Sequence, residues 1–326
     1  MHLPFSYFYC AQGFLEGFAI KYCIVVLWGF WGLLLCPFAT YADAYKSKSF
    51  DAFYPEGPLW VSETLYFAEM SMDRIRILKG NAVETFWREP ECGPTSIAPY
   101  AKNKFLVLCH LAAKLVVLDE NGRKVKDILT NSSKTLFQNP NDSHTDGKGG
   151  VFFTDAGLFE KGAPSTGVVY HLNAEGDITK IIDNLSYANG IAFDSDKKKL
   201  YISEHLARKV WIYPLDNEFK AQKRKLLFDM RSVWTASDIK YAEAGPDGIE
   251  VMSNGSVMVA IYGMSSIVII KRDALSKHEV GTKFVTNIAA SNTQIAVVGA
   301  YQNILSPFPG KLYILPRHLL PKSVIK

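Results

Sequence analysis

The sequence predicts an all-β protein, a six-bladed β-propeller in a single domain that follows an N-terminal signal segment. Three observations predict it. After Ala44 the chain reads as strand after strand, with almost no stretch of helical periodicity. The strands recur as six similar pairs bounded by Gly, Asn and Asp turns. The roughly 280 residues from Tyr45 onward divide into six units of about 47, within the range for propeller blades. A sandwich would not need that regular spacing, and helical solenoids are excluded by the strand content.

The elements follow in chain order. Residues 1–44 form the first segment: a lone cation, Lys21, an apolar run from Tyr22 to Cys36, and the small-x-small sequence Ala42-Asp43-Ala44. That layout predicts a secretory signal peptide with an upstream extension. The run is slightly short for a membrane span of ~20 residues, and an uncleaved anchor is the alternative. The expected location is outside the cytoplasm, periplasmic or secreted, or else membrane-anchored through this segment. Export would remove Cys10, Cys23 and Cys36 and leave Cys92 and Cys109, either bridged or as two buried thiols.

Residues 45–326 hold the propeller. "SKSFDAFY" (Ser47 to Tyr54) is placed to supply the last blade's outer strand and close the ring. Six double-strand units follow: "LYFAEMSMDRIRIL", "FLVLCHLAAKLVVLDENG", "GVFFTDAG…GVVYHLNAEG", "LYISEHLARKVWIYPLD", "VMVAIYGMSSIVIIKRD" and "IAVVGAYQ…GKLYILP". Each of the first five has a short strand ahead of it, marked by Gly, Asn or Asp: "EGPLW", "GPTSIA", "NDSHTD", "NGIAFD" and "PDGIEV".

In a propeller the first strand of each blade lines the central channel. Glu56, Asn141-Asp142, Asn189-Gly190 and Asp247-Gly248 occupy one place in the repeat and converge on one axis. A turn explains any single Asn-Gly or Asp-Gly; recurrence at one place is what makes them a set. Buried carboxylates brought together resist ionising unless a cation compensates them. Carboxylates and Asn carbonyl oxygens are hard ligands, which suit Ca²⁺, with Mg²⁺ or Mn²⁺ next and Zn²⁺ less favoured. One divalent cation at the channel floor is expected.

The pieces "EGPLW", "NDSHTDGKGGVFFTD", "YANGIAFD" and "GPDGIEV", in this order at blade spacing, resemble the SMP-30/gluconolactonase family of six-bladed propellers. The resemblance covers nearly all of the chain after residue 44. It implies that Glu56, Asn189 and Asp247 hold a catalytic divalent cation, with Asn141 a further ligand or a substrate contact. It also implies that Asp247 is the general base. Sugar-lactone members often carry Arg two residues before the equivalent of Asn141. Here Asn139 stands there and cannot replace the rigid multiple donor, which favours a less polar lactone or another ester.

The expected activity is hydrolysis of a lactone or related ester by metal-activated water. Phosphotriester hydrolysis at the same metal is a second enzymatic reading. A non-catalytic, metal-stabilised propeller that binds a ligand or protein is the alternative of a different class. The sequence has no Gly-x-Ser-x-Gly elbow and no phosphate-cradling glycine loop. The formal charge of +4 and the Lys-rich turns read as solvated surface, so no nucleic-acid partner is expected. The expected partner is a small-molecule substrate. His110 and His205, just after second strands, are candidates to orient substrate, or else polar residues leaving a strand. His144 reads as structural, and Asp155 and Glu204 as further strand-end candidates. "GLFEKGAPSTG" and "GAYQNILSPFPG" bring Phe159, Tyr301 and Phe308 as aromatics for a lid over substrate.

Overall fold

The computed structural model describes residues 10–15, 18–23, 47–272 and 274–317. The chain divides into two compact units, Met1–Ala44 and Tyr45–Lys326. In the first, β1 (Cys10–Leu15) and β2 (Phe18–Cys23) pair as an antiparallel hairpin. The rest of the expected signal segment, from residue 24 to its Ala42-Asp43-Ala44 end, lies outside the described residues.

The second unit is a ring of six four-stranded antiparallel sheets. It opens with β3 (Lys48–Phe53). Blade one is β4 (Pro55–Val61), β5 (Thr64–Glu69), β6 (Arg74–Lys79) and β7 (Ala82–Arg88). Blade two is β8 (Pro94–Tyr100), β9 (Lys104–Cys109), β10 (Lys114–Asp119) and β11 (Lys124–Ile128). Blade three is β12 (Pro140–Thr145), β13 (Val151–Asp155), β14 (Gly167–Leu172) and β15 (Ile178–Leu185). Blade four is β16 (Ala188–Asp194), β17 (Lys199–Glu204), β18 (Lys209–Pro214) and β19 (Lys225–Asp229). Blade five is β20 (Gly245–Val251), β21 (Val257–Tyr262), β22 (Ser266–Lys271) and β23 (Ala274–Glu279). Blade six takes β24 (Phe284–Ala290), β25 (Gln294–Ala300) and β26 (Pro309–Pro316) from the end of the chain, and β3 completes it, Phe53 paired with Pro309 and Lys48 with Ile314. The first strands pack in sequence, and β24 against β4 closes the circle.

The five short strands read from the sequence are β4, β8, β12, β16 and β20. The sixth first strand, "FVTNIAA", carries no turn residue at its start to mark it.

The core is a set of separate layers, one at each blade interface. Phe152 packs toward blade four with Ile191 and Ile202, while its neighbour Phe153 packs toward blade two with Leu106 and Leu108. Both faces of a blade are therefore buried, which is why second strands such as "VFFTD" read as continuous apolar runs and do not alternate. Each such side chain contributes about 1.5–3 kcal/mol on burial. The fourth strands face solvent; β11, "KVKDI", is exposed at all but its last residue.

Candidate metal centre

Every first strand carries a β-bulge near its channel end. The register slips between Glu56 and Leu59, Pro94 and Ser96, Pro140 and Ser143, Ala188 and Ile191, Pro246 and Ile249, and Val285 and Asn287. A bulge leaves residues unpaired and re-aims their side chains. Asn141, Asn189 and Asp247 lie inside their bulges, and Glu56 immediately precedes its own. One local device thus turns all four toward the axis.

The glycines that follow serve close approach. Gly190 and Gly248 read as turn residues in the sequence, yet each sits within a strand. A Cβ on Gly190 would overlap the Asp247 carbonyl, and one on Gly248 would overlap the Asn287 carboxamide. Glycine lets neighbouring first strands meet at the floor.

Buried hydroxyls tie four of these first strands to the preceding blade. Thr95 Oγ1 donates to the Pro140 carbonyl (3.3 Å), Thr154 Oγ1 to the Asn189 carbonyl (2.8 Å), Ser203 Oγ to the Asp247 carbonyl (2.6 Å) and Thr286 Oγ1 to the Pro55 carbonyl (2.6 Å). The backbones of Asn189 and Asp247 are therefore fixed from the preceding blade.

Glu56 and Asp247 stand within electrostatic reach of each other. Burial first, and then repulsion from Asp247 and Asp142, pushes the Glu56 carboxyl well above its ordinary range. Burial, then Asp142, does the same to Asp247, while the adjoining Asn189 carboxamide favours its charged form. Asp247 is 4% exposed and Asn189 6%; Glu56 and Asn141 are half-buried. Among the described residues neither carboxylate has a Lys or Arg partner. Asn141 adjoins the Tyr187 phenol, which also feels Asp247 and Glu56. The structure thus brings Glu56, Asn141, Asn189 and Asp247 together.

Asp142, beside Asn141, is a buried hub that the sequence did not single out for a role of its own. Its carboxylate accepts from Ser143 N (2.8 Å), Asn287 Nδ2 (3.2 Å), Ile191 N (3.3 Å) and Ser96 Oγ (3.3 Å). It therefore ties blades two, three, four and six below the cluster. Burial raises its pKa to about 6 against those bonds.

The donor set fits a divalent cation. Two buried carboxylates, Glu56 raised by Asp247 and both raised by Asp142, with no cationic side chain beside them and the Asn189 carboxamide adjoining, are stabilised as anions by a doubly charged ion. The set is oxygen-rich and contains no thiolate or imidazole. Among the described residues no three His, Cys, Asp or Glu side chains cluster as a metal group, so the fit rests on the mixed carboxylate and carboxamide set.

The histidines divide. His205 touches the cluster: Nδ1 lies 3.4 Å from Asn189 Nδ2, and Nε2 lies 2.7 Å from the Glu243 carbonyl. Burial lowers its pKa to about 4, so it is neutral at pH 7. His110, also lowered to about 4 by burial, bonds the Pro140 carbonyl at 3.2 Å and stands one residue removed from Asn141. His144 bonds its neighbour's carbonyl, Thr145 O, at 2.9 Å, as the structural reading expected.

Asp155 and Glu204 hold backbone and do not enter the cluster. Asp155 accepts from Gln138 N and Asn139 N, and Glu204 from Ser186 N. Glu69 does the same for Phe53 N. In each case the acid ends a second strand and caps the chain two residues before the first strand of its own blade. Blade two has Cys109 at that strand end and Cys92 two residues before β8, joined as a disulfide. A covalent latch replaces the acidic one there.

Of the lid aromatics, Phe159 packs on Tyr187 (centroids 4.7 Å apart) and His205 (5.5 Å), and Phe308 packs on Tyr54 (5.5 Å). Tyr301 is 42% exposed and bonds the Tyr313 phenol instead. Tyr54, Tyr187 and Tyr262 are the residues at the site that sequence reading missed.

The family profile described as SMP-30/Gluconolactonase/LRE-like region matches residues 54–296. A gluconolactonase of Zymomonas mobilis subsp. mobilis is 25% identical over 240 residues, 65% of this chain and 66% of that one. The first curated relatives are matched over 72%, 51% and 66% of their own lengths. Among solved structures, a luciferin-regenerating enzyme superposes with a TM-score of 0.69 at 20% identity, over 86% of this chain and 96% of that one. A calcium-binding protein of Agrobacterium tumefaciens, regucalcin, superposes with a TM-score of 0.62 at 17% identity, over 82% and 92%. At these identities the likeness to solved structures concerns the fold.

Proposed function

The chain belongs to the SMP-30/gluconolactonase/LRE-like family, and we propose on that premise that it is a divalent-metal-dependent hydrolase of lactones or related esters. The observation that carries the reading is the uncompensated pair Glu56 and Asp247, joined at the axis by Asn141 and Asn189. Glu56, Asn189 and Asp247 would hold the ion, with Asn141 beside them. Ca²⁺ is favoured by the oxygen donors and by the calcium-binding description of the regucalcin neighbour.

When bound, the cation supplies Lewis-acid polarisation of the carbonyl and a lowered pKa for water. The chain's own residues do the rest. Asp247 is the base: it takes a proton as the water oxygen bonds to the lactone carbonyl carbon. The ring C–O bond then breaks, and the departing alkoxide takes that proton back from Asp247 to give the hydroxy acid. His205, neutral and held through Glu243, orients the Asn189 carboxamide. The Ser203 hydroxyl fixes the Asp247 backbone, so the base is held at the floor without a search for its position.

We also propose that residues 1–44 direct export. The Cys92–Cys109 bridge supports it, since disulfides persist in oxidising compartments. Amino-terminal sequencing of the mature protein tests this, a start near Tyr45 being expected.

The activity is tested with a lactone panel after chelation, then with Ca²⁺, Mg²⁺, Mn²⁺ or Zn²⁺ restored, beside Asp247→Asn. Metal-restored turnover that Asp247→Asn abolishes is expected. Cation binding with no turnover of any lactone or ester would leave a structural or ligand-binding propeller as the better account.

A further inference from the structure

Three phenols stand over the cluster without a task in the reaction as drawn. Tyr54 directly precedes β4 and Tyr187 directly precedes β16, so each lies two residues before a proposed ligand, Glu56 or Asn189. Both have a left-handed backbone, with φ of 46° and 59°. That conformation is strained for a bulky residue and persists only where the surroundings enforce it. Blade two has the same backbone at the same place, φ 51°, and uses Gly93 there. Blade two contributes no proposed ligand. A Cβ on Gly93 would overlap Leu111, whereas the same backbone carries a full tyrosine side chain in two blades that build the site.

The rings join into a belt. Phe308 packs on Tyr54 at 5.5 Å, and the Tyr54 and Tyr262 hydroxyls are 3.1 Å apart. Tyr262 meets His205 at 5.7 Å, His205 meets Tyr187 at 5.8 Å, and Tyr187 meets Phe159 at 4.7 Å. The Asn303 carboxamide donates to the Tyr262 hydroxyl at 3.1 Å. A phenol carries one O–H donor. Among the described residues no Lys or Arg side chain bonds to or stacks on the belt. Arg208, which acts on His205, spends its guanidinium on the Ala244 and Ala242 carbonyls, each at 3.0 Å. Asn139 turns its amide to the His110 carbonyl at 3.5 Å.

We propose that Tyr54, Tyr187 and Tyr262 determine specificity: with Phe159 and Phe308 they receive an apolar substituent of the substrate, and the Tyr187 hydroxyl, with the one free proton of the Tyr54–Tyr262 pair, donates to its ester oxygens. The substrate class is a lactone carrying an alkyl chain or apolar ring, in preference to a polyhydroxylated one. This rests on the lactonase reading. A rim of fixed aromatic groups rewards apolar area, whereas sugar hydroxyls need the multiple charged donors that are engaged elsewhere.

The test compares γ-hexyl-γ-butyrolactone, γ-butyrolactone and glucono-δ-lactone as substrates in the full chain, Tyr187→Phe and Phe159→Ala. Binding of the unreactive ring analogue 2-hexylcyclopentanone is measured by calorimetry with Ca²⁺ and with chelator, and circular dichroism checks that both variants fold. In the full chain, kcat/KM for the hexyl lactone should exceed that for glucono-δ-lactone at least tenfold. Phe159→Ala should cut the hexyl-to-parent ratio at least fivefold, and Tyr187→Phe should weaken ketone binding about five- to tenfold. Hydrolysis with glucono-δ-lactone preferred, or with both variants leaving the ratio and the ketone affinity untouched, overturns the proposal while the lactonase reading stands. Ketone binding that depends on Tyr187 and Phe159, with no lactone turned over, upholds the aromatic site and overturns the lactonase reading.

Discussion

At the residue scale the site is governed by two carboxyls held against their preference. Glu56→Gln removes one of them, so in chelator the variant should melt above the parent protein, and its shift on adding Ca²⁺ should vanish. A scanning melt with and without Ca²⁺ reads both effects. The pH dependence has a defined sign. Folding raises the Glu56 and Asp247 carboxyls above ordinary values of 4.5 and 3.8, so the folded chain holds more protons than the unfolded one. That stability is full below the unfolded values and is lost as pH rises through the folded ones. Burial also raises Glu250, at the far end of β20, to about 8. His110 and His205, lowered from 6.5 to about 4, act in the opposite sense between those values. Above pH 7 both histidines are neutral in either state, so the metal-free protein should melt lower at pH 9 than at pH 7. Ca²⁺ should remove the share due to Glu56 and Asp247, and Glu250→Gln the share due to Glu250. The four proposed ligands were legible in the sequence because their place in the repeat is shared. The phenols were not: a tyrosine before a strand signals nothing until its backbone is known to be left-handed. Nor was Asp142 legible as a hub, since its partners come from blades up to 145 positions apart in sequence.

At the scale of elements, each blade is built on a bulged first strand and a latched second strand. Ser203→Ala should lower stability by about 1 kcal/mol, as expected for a buried hydrogen bond. Because that bond holds the Asp247 carbonyl, it should also weaken Ca²⁺ binding several-fold, read by calorimetry. The latches make a matched comparison. Replacing Cys92 and Cys109 with Ser frees a loop of sequence separation 17, for which loop entropy predicts a loss of about 3 kcal/mol. Denaturant melts of that double variant and of Glu204→Gln should rank the covalent latch first. First strands with Gly, Asn or Asp near the start were readable, while the choice between a bridge and two thiols at Cys92 and Cys109 was settled only by the structure, which joins them. The sixth first strand was not readable, because Phe284–Ala290 begins on apolar residues. Fourth strands such as β11 stayed hidden because a solvent-facing edge needs no apolar pattern.

At the scale of the whole molecule, the ring is shut by β3 on β26, between segments some 260 residues apart. No single blade buries both of its faces without its neighbours, so opening the ring exposes two layers of core at once. Removing residues 47–53 should abolish the cooperative melt and yield aggregate, whereas Lys311→Ala, which loses only the exposed ion pair to Asp51, should change stability by less than about 1 kcal/mol. The blade count and the closing strand followed from the repeat, but the convergence of six bulges on one axis is a property of the closed ring alone. The most direct measurement is a calorimetric titration of Ca²⁺ into the chelator-stripped protein, Glu56→Gln and Asp247→Asn. The account predicts one ion per chain, with binding lost in both variants while their folds persist. Binding that survives in both variants, or none in the parent protein, would contradict it.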